Sequence, residues 1–139
     1  MKAGTLQATM GIYPASSNPS PRGIVQVMID TFGNIKIYMN TMGMALSCTS
    51  TNTALNGCGV HIHVGTVCND NTLIGGHYWT PATATDPWIN IRYPSDTQGT
   101  TNANINMNGG NGYDYNGNKG HALVIHDAGG TRISCGILY

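Results

Sequence analysis

The sequence predicts a single all-β domain spanning residues 1–139, and three features support this prediction. Only 9% of the residues are charged, every acidic residue is an aspartate, and glutamate is absent. Strong helix formers are therefore scarce, whereas Thr, Asn, Gly, Ile, Val and Tyr, which favour strands and turns, are plentiful. No segment has a helical period of useful length, and no internal repeat is present. A chain of this length suffices for one domain with its own core.

About eight candidate strands follow one another along the chain. They cover residues 5–13, 23–30, 34–40, 60–64, 88–93, 100–108, 121–126 and 132–139. The first alternates loosely between polar and apolar residues and ends at Pro14. The second and third are apolar, β-branched runs joined through Thr31-Phe32-Gly33, which is typical of a hairpin.

Polar segments separate these strands. Ser, Pro, Asn and Gly dominate them, because these residues favour turns and interrupt regular pairing. The segments comprise residues 16–21, 49–57, 81–87, 95–99, 108–120 and 127–131. Of these, 108–120 is the loosest, since it consists mainly of Gly and Asn.

Charge and hydropathy exclude two classes of partner. The formal net charge is zero, so the chain has no electrostatic footprint for nucleic acid or for an anionic membrane surface. No apolar run approaches the roughly 20 residues that span a bilayer. Neither nucleic acid nor a membrane span is therefore predicted.

The four cysteines, Cys48, Cys58, Cys68 and Cys135, predict two disulfides and hence an oxidising, extracellular compartment. The sequence alone allows three pairings. An alternative makes Cys58 and Cys68 soft metal ligands. No signal peptide is visible, since Met1 and Lys2 lead almost at once into the first strand. We therefore expect a mature domain, or one domain of a longer secreted chain.

Two histidines, His61 and His63, occupy alternate positions of the fourth predicted strand. Residues i and i+2 of a strand point to the same face, so both imidazoles can converge on one metal ion. The simpler alternative is an exposed strand face that carries two histidines.

Further motifs accompany this pair. They are Gly-Val-His-Ile-His at 59–63, Cys68, Gly-His-Tyr-Trp-Thr-Pro at 76–81, Gly-His-Ala-Leu-Val-Ile-His at 120–126 and Arg-Ile-Ser-Cys-Gly at 132–136. The order and approximate spacing of these motifs resemble those of the copper/zinc superoxide dismutase superfamily. The resemblance extends over roughly residues 5–139. The chain is most similar to the copper-only, zinc-free branch of secreted enzymes and repeat domains.

The resemblance implies an eight-stranded antiparallel Greek-key barrel that binds one copper ion. The implied ligands are His61, His63, His77 and His126. The implied disulfide joins Cys68 to Cys135, which leaves Cys48 to pair with Cys58.

Two departures from the superfamily pattern favour the copper-only branch. The loop after the third ligand normally carries zinc ligands, but between His77 and Trp88 there is no histidine and only Asp86 as a carboxylate. The charged guiding loop is reduced to the five residues 127–131. Both departures imply an open copper site without zinc.

The resemblance also assigns roles near the metal. It implies that His77 leaves Cu(I), takes up a proton and helps to deliver it to peroxide. Arg132 would hold superoxide through a charge-assisted hydrogen bond; the alternative is an ordinary solvated arginine. A carboxylate should orient the ring of His77, and either Asp96 or Asp86 could serve.

Several aromatic residues near these motifs are expected to be structural. His121 lies five residues before His126, so on a regular strand the two face opposite ways. We expect Tyr78, Trp79 and Trp88 to pack and stiffen the adjacent loop; a binding platform is the alternative.

Two function hypotheses follow. The first is an extracellular copper-only superoxide dismutase that converts superoxide to O2 and H2O2, and the four histidines with Arg132 favour it. The second is a non-enzymatic copper-binding domain of an extracellular structural, adhesive or assembly protein, with self-association or neighbouring domains. The missing guiding loop and the neutral Asn/Thr-rich composition favour the second.

Overall fold

The computed structural model describes residues 1–17, 21–49, 51–80 and 85–139. Parts of the predicted loops 16–21, 49–57 and 81–87 lie outside the described residues. The elements in chain order are β1 (Gly4–Ile12), β2 (Arg22–Ile29), β3 (Ile35–Met42), β4 (Val60–His63), α1 (Asn71–Ile74), β5 (Thr101–Met107), α2 (Tyr115–Asn118), β6 (Ala122–His126) and β7 (Arg132–Ile137).

The strands form one curled antiparallel sheet in the order β4-β6-β7-β1-β2-β3-β5. Three sequential strands, β1 to β3, pair as neighbours. The chain then crosses to β4 at the opposite edge, returns to β5 beside β3, and crosses again to β6 beside β4. This connectivity is that of a Greek key, and it confirms the predicted all-β fold class.

The strand predicted over residues 88–93 does not form: a turn covers 87–90 and an isolated bridge follows, so the described residues contain seven strands. The backbone N–H of Ile91 donates to the carbonyl of Trp88 at 3.0 Å, which closes the turn. Only Arg92 makes a bridge, to Gly59 before β4. A side chain stabilises the turn, because Oδ1 of Asp86 accepts the backbone N–H of Trp88 at 2.8 Å. The Trp88 ring is fully buried and donates its indole N–H to the carbonyl of Tyr78 at 2.8 Å.

In the half of the sheet formed by β1, β2, β3 and β5, more buried and more exposed side chains alternate along each strand. In β1 the side chains of Leu6, Ala8 and Met10 are buried, whereas the residues between them are exposed. The inward residues of β2 and β3 follow the same period of two and pack against the β1 residues. Burial of these aliphatic side chains is the main source of stability for this half.

The half formed by β4, β6 and β7 is buried on both faces. Every residue of β4 and β6 is buried. Val60 and Ile62 of β4 join the main core, and the alternate residues His61 and His63 therefore point the other way. A second apolar cluster covers the outer side of β6; it contains Tyr13, Ile74, Ala122, Val124 and Cys135.

Two disulfides join the pairs that the resemblance implied. Cys68 is bonded to Cys135 across 67 residues, and Cys48 is bonded to Cys58 across 10. Cys58 and Cys68 therefore carry no thiolate, and the alternative that made them metal ligands is wrong. The longer bridge ties the segment after β4 to β7.

Two single-turn helices occur outside the predicted strands. Asp70 caps α1 by accepting a hydrogen bond from the backbone of Thr72, and Asp114 caps α2 through Gly117. The second helix lies inside the predicted loop 108–120. Neither helix in the described part of the chain is long and apolar enough to cross a bilayer.

Candidate metal centre

Four histidine side chains converge beside β4. His61 and His63 belong to β4, His126 ends β6, and His77 pairs with His63 through an isolated bridge. One ring nitrogen from each residue lies within 4.8 Å of those of the others. The ring centroids of His61 and His77 are 4.3 Å apart, and those of His61 and His126 are 5.0 Å apart. The structure thus brings the four predicted ligands into one group.

The opposite nitrogen of each ring is held by a hydrogen-bond acceptor. In three rings that acceptor is a backbone carbonyl: Ile91 for Nε2 of His61 at 3.0 Å, Gly75 for Nδ1 of His63 at 2.9 Å, and Gly130 for Nδ1 of His126 at 2.9 Å. A neutral imidazole that donates from one nitrogen presents a lone pair on the other. These carbonyls therefore fix the tautomers so that the lone pairs face one another.

Three of the nitrogens that face the cluster lack partners among the described residues. Nδ1 of His61, Nε2 of His63 and Nε2 of His126 are buried, and none of them makes a hydrogen bond within that part of the chain. An unsatisfied buried polar atom costs about 1–3 kcal/mol, so three in one place require an explanation. Imidazole nitrogen is a good ligand for copper and zinc. A metal ion bound by these nitrogens would remove the penalty, and the residues fit such an ion.

Burial keeps three of these rings neutral. Desolvation is the largest cause in each case, and it lowers the pKa of His61 to about 2, of His63 to about 3 and of His126 to about 4. The neighbouring His77 lowers the pKa of all three further. At neutral pH each ring therefore offers a lone pair rather than a positive charge.

Asp86 orients the fourth ring. Its Oδ2 lies 2.5 Å from Nδ1 of His77, and its Oδ1 accepts the backbone N–H of Trp88. Nε2 of His77 is thereby left to face the other histidines. Asp96, the other candidate, does not serve: its carboxylate accepts the backbone N–H groups of Gln98 and Thr100, and these bonds lower its pKa. It stabilises a turn instead.

Two glycines shape the backbone around the rings. A Cβ atom at Gly59 would lie 2.4 Å from Cε1 of His61, so a larger residue would displace that ring. Gly75 has a φ of +71°, in the left-handed region that favours glycine. Its carbonyl oxygen accepts hydrogen bonds from both His63 and Arg132.

Arg132 is anchored beside the cluster rather than freely solvated. Its Nη2 donates to the carbonyl of Gly75 at 2.8 Å, and its Nη1 donates to the hydroxyl of Tyr13 at 3.0 Å. The guanidinium is close enough for its charge to lower the pKa of His63 and of His126. The side chain as a whole is half-buried.

The remaining aromatic residues lie outside the group. His121 uses Nδ1 to contact the carbonyl of Val64 at 2.9 Å, and its ring stacks on Tyr78 with centroids 3.9 Å apart. Trp88 is buried in the core, and Tyr78 packs against it. Trp79 is half-buried. The burial of Trp88 and the packing of Tyr78 agree with the structural roles expected for these two residues.

Sequence reasoning missed Tyr13 and the backbone carbonyls that fix the tautomers. Tyr13 and Arg132 are 119 residues apart, and no motif connects them. The positive φ of Gly75 had a weak signal in the Gly-Gly-His sequence at 75–77, since paired glycines often mark unusual backbone.

Comparison with solved structures gives matches to superoxide dismutase 5 from Candida albicans. Its Cu(II) structure is 13% identical with a TM-score of 0.57, and the match covers 99% of this chain and 92% of that one. A mutant of that protein is 15% identical with a TM-score of 0.56, at the same coverage. A second mutant is 15% identical with a TM-score of 0.54, covering 99% and 90%. No family model and no curated protein sequence match the chain.

At such low identity the likeness establishes the fold. The chain has the Greek-key fold of the superoxide dismutases, as its sequence motifs implied. Within that fold it carries a group of four histidines that could hold a metal ion.

Proposed function

We propose that this chain is an extracellular copper-only superoxide dismutase, which converts superoxide to O2 and H2O2. The observation that carries the proposal is the set of buried, unpartnered imidazole nitrogens beside an anchored arginine. Bound at His61, His63, His77 and His126, copper would supply one-electron oxidation and reduction. The two disulfides support an oxidising, extracellular location.

Arg132 would bind the substrate anion. A guanidinium has five N–H donors, and the contacts to Gly75 and Tyr13 occupy two of its nitrogens. Because those contacts fix the plane of the group, its remaining donors point in a defined direction. A fixed positive charge beside the histidines favours entry of a small anion and holds it by charge-assisted hydrogen bonds.

His77 would hold and transfer a proton at Nε2. Its side chain is 9% exposed, whereas His61, His63 and His126 are 0–1% exposed, so it alone of the four reaches solvent. Asp86 accepts a hydrogen bond from Nδ1 and keeps the ring oriented while the proton on Nε2 comes and goes. This arrangement suits delivery of a proton to peroxide.

The same residues argue for one copper and no zinc. No histidine occurs between His77 and His121, and Asp86 is already engaged with His77. A zinc site of the ordinary three- or four-ligand type would need further ligands from this stretch.

The test compares three variants of the copper-loaded protein. His63→Ala removes a ligand, so copper affinity and superoxide turnover should both be lost. Arg132→Ala leaves all four histidines in place, so copper should still bind while turnover falls about tenfold at low salt. Lys36→Ala removes an exposed positive charge from β3 on the other half of the sheet and should change neither quantity.

Salt separates the roles further. The effect of Arg132→Ala should shrink as ionic strength rises and the Debye length falls below about 10 Å. Unchanged turnover in Arg132→Ala at low salt would remove Arg132 from the mechanism. If superoxide turnover by the fully copper-loaded protein is no faster than that of free copper chelates, the enzyme proposal is wrong and non-enzymatic copper binding remains as the function.

A further inference from the structure

A buried tyrosine hydroxyl stands next to the guanidinium of Arg132. Tyr13 directly follows β1, its side chain is buried, and its hydroxyl lies 3.0 Å from Nη1 of Arg132. The same hydroxyl lies 2.6 Å from Oδ1 of Asn71, the first residue of α1. We propose that Tyr13, held by Asn71, is a positioning residue that orients Arg132 for anion binding. The inference rests on the function proposed above, because it concerns the same arginine.

The chemistry of the three groups fixes the direction of both hydrogen bonds. An arginine side chain has donors only, so the Tyr13 hydroxyl must accept from Arg132. Its single proton is then free to go to Oδ1 of Asn71, which is an acceptor. Arg132 therefore donates to the Tyr13 hydroxyl, and the Tyr13 hydroxyl donates to Asn71.

The tyrosine ring provides a rigid support. The backbone N–H of Tyr13 donates to the carbonyl of Ile133 at 3.0 Å, beside Arg132 in β7. Its ring belongs to the second apolar cluster with Ile74 and Cys135, which the Cys68–Cys135 disulfide ties to the segment after β4. The hydroxyl therefore occupies a fixed position, to which the flexible arginine side chain must adapt.

Two anchors are needed to fix the plane of a guanidinium. The carbonyl of Gly75 holds Nη2 of Arg132. This contact alone would allow the guanidinium to rotate about the axis of that hydrogen bond. The Tyr13 hydroxyl holds Nη1 and prevents that rotation. Because the Gly75 carbonyl also accepts from Nδ1 of His63, the orientation of Arg132 is coupled to the position of a proposed ligand.

The experiment replaces Tyr13 by Phe, which removes the hydroxyl and keeps the ring in its cluster. The matched control is Tyr38→Phe on β3, whose hydroxyl donates to an exposed asparagine, Asn102, at 3.2 Å in the other half of the sheet. Azide, a small anion, is titrated into the Cu(II)-loaded proteins and followed by the visible spectrum. We expect the azide affinity of Tyr13→Phe to fall about three- to tenfold, the size of one lost hydrogen bond, and that of Tyr38→Phe to stay unchanged.

A double-mutant cycle distinguishes positioning from general stabilisation. If Tyr13 acts through Arg132, adding Tyr13→Phe to Arg132→Ala should cause no further loss of azide affinity. An additive loss would overturn the proposal, because it would mean that Tyr13 acts independently of the arginine. An unchanged azide affinity in the Tyr13→Phe single variant would overturn it as well.

A measurement on the metal-free protein keeps this inference separate from the proposed function. Rotation of the Arg132 guanidinium, followed by 15N NMR, should be faster in Tyr13→Phe than in the unmutated protein or in Tyr38→Phe. Unchanged rotation contradicts the positioning role whether or not the protein is a dismutase. Faster rotation in metal-free Tyr13→Phe, together with no superoxide turnover by the copper-loaded unmutated protein, would support the positioning role and reject the dismutase.

A second variant covers the case in which Tyr13→Phe does not fold. Asn71 is exposed, so Asn71→Ala should be tolerated, and it removes the acceptor that orients the Tyr13 hydroxyl. Azide affinity should then fall about twofold, in the same direction as for Tyr13→Phe. If Asn71→Ala changes neither the azide affinity nor the rotation of the Arg132 guanidinium, the proposal that Asn71 holds Tyr13 in a positioning role is overturned.

Discussion

The two halves of the curled sheet bury their residues in different ways. Strands β1, β2, β3 and β5 have one face in the core and one face towards solvent. Strands β4 and β6 are buried on both faces, because the segment after β4 and the second apolar cluster cover their outer side. The first half is an amphipathic layer, and the second is an enclosed one.

The difference determines where polar atoms are trapped. In the first half the inward positions are almost all apolar; of the exceptions, Thr101 donates to the carbonyl of Pro94, and only Oγ1 of Thr41 lacks a partner among the described residues. In the second half three histidines are buried, each with a nitrogen that has no partner in the described part of the chain. Because unpaired buried polar atoms are costly, such a concentration marks a site that serves binding rather than stability.

The largest effect on stability should come from the bridge that encloses the second half. Replacing Cys68 and Cys135 by Ala opens a loop of 67 residues, and the chain-entropy model gives a loss of about 4 kcal/mol in the free energy of unfolding. Copper affinity should fall too, because the cover of the site is released. Urea unfolding and copper titration measure the two effects.

The shorter bridge is the matched control. Cys48 and Cys58 enclose only 10 residues, so their replacement by Ala should cost about 3 kcal/mol. Equal losses of copper affinity for both pairs would contradict the view that the Cys68–Cys135 bridge specifically encloses the site.

Core packing of the first half should matter for stability and leave the site intact. Ile37 on β3 is fully buried, so Ile37→Ala should lower the free energy of unfolding by about 2–5 kcal/mol. Asn104→Ala, at an exposed position of neighbouring β5, should change it by less than about 0.5 kcal/mol. Copper affinity, measured on the folded proteins, should be unchanged in both. A loss of affinity in Ile37→Ala would mean that the two halves are not separable.

The metal-free protein should lose stability in mild acid, because of the buried histidines. Their pKa values are lowered on folding, so the unfolded chain takes up protons below about pH 6.5 while the folded protein does not. The stabilisation is complete above pH 6.5. It is lost as the pH falls, down to about 4 for His126, about 3 for His63 and about 2 for His61, at up to about 1.4 kcal/mol per pH unit for each ring.

Urea unfolding at pH 7, 6 and 5 measures this dependence. The variant His63→Gln removes one of the three titrating rings and should show a shallower slope. A free energy of unfolding that stays constant between pH 7 and 5 would show that the rings are not buried as neutral groups.

The sequence predicted the first half better than the second, for physical reasons. Alternation in β1 is visible in the sequence because one face meets water. Residues 88–93 have the composition of a strand, but they begin in a turn that the Asp86 side chain stabilises, and composition does not reveal this contact. The four histidines were found from their motifs. The choice between Asp86 and Asp96, and the contact from Tyr13 to Arg132, depend on long-range packing that leaves no local signal.

The most direct test of the enclosed histidine site is a titration with Cu(II), followed by electron paramagnetic resonance and by superoxide turnover on the same sample. We expect one copper per chain with a tetragonal, nitrogen-coordinated spectrum, no stoichiometric zinc by elemental analysis, and turnover that rises in proportion to bound copper. One tightly held zinc beside the copper would contradict the copper-only assignment. A spectrum without nitrogen coupling would contradict the histidine copper site. Turnover no faster than that of free copper chelates would contradict the proposed dismutase activity.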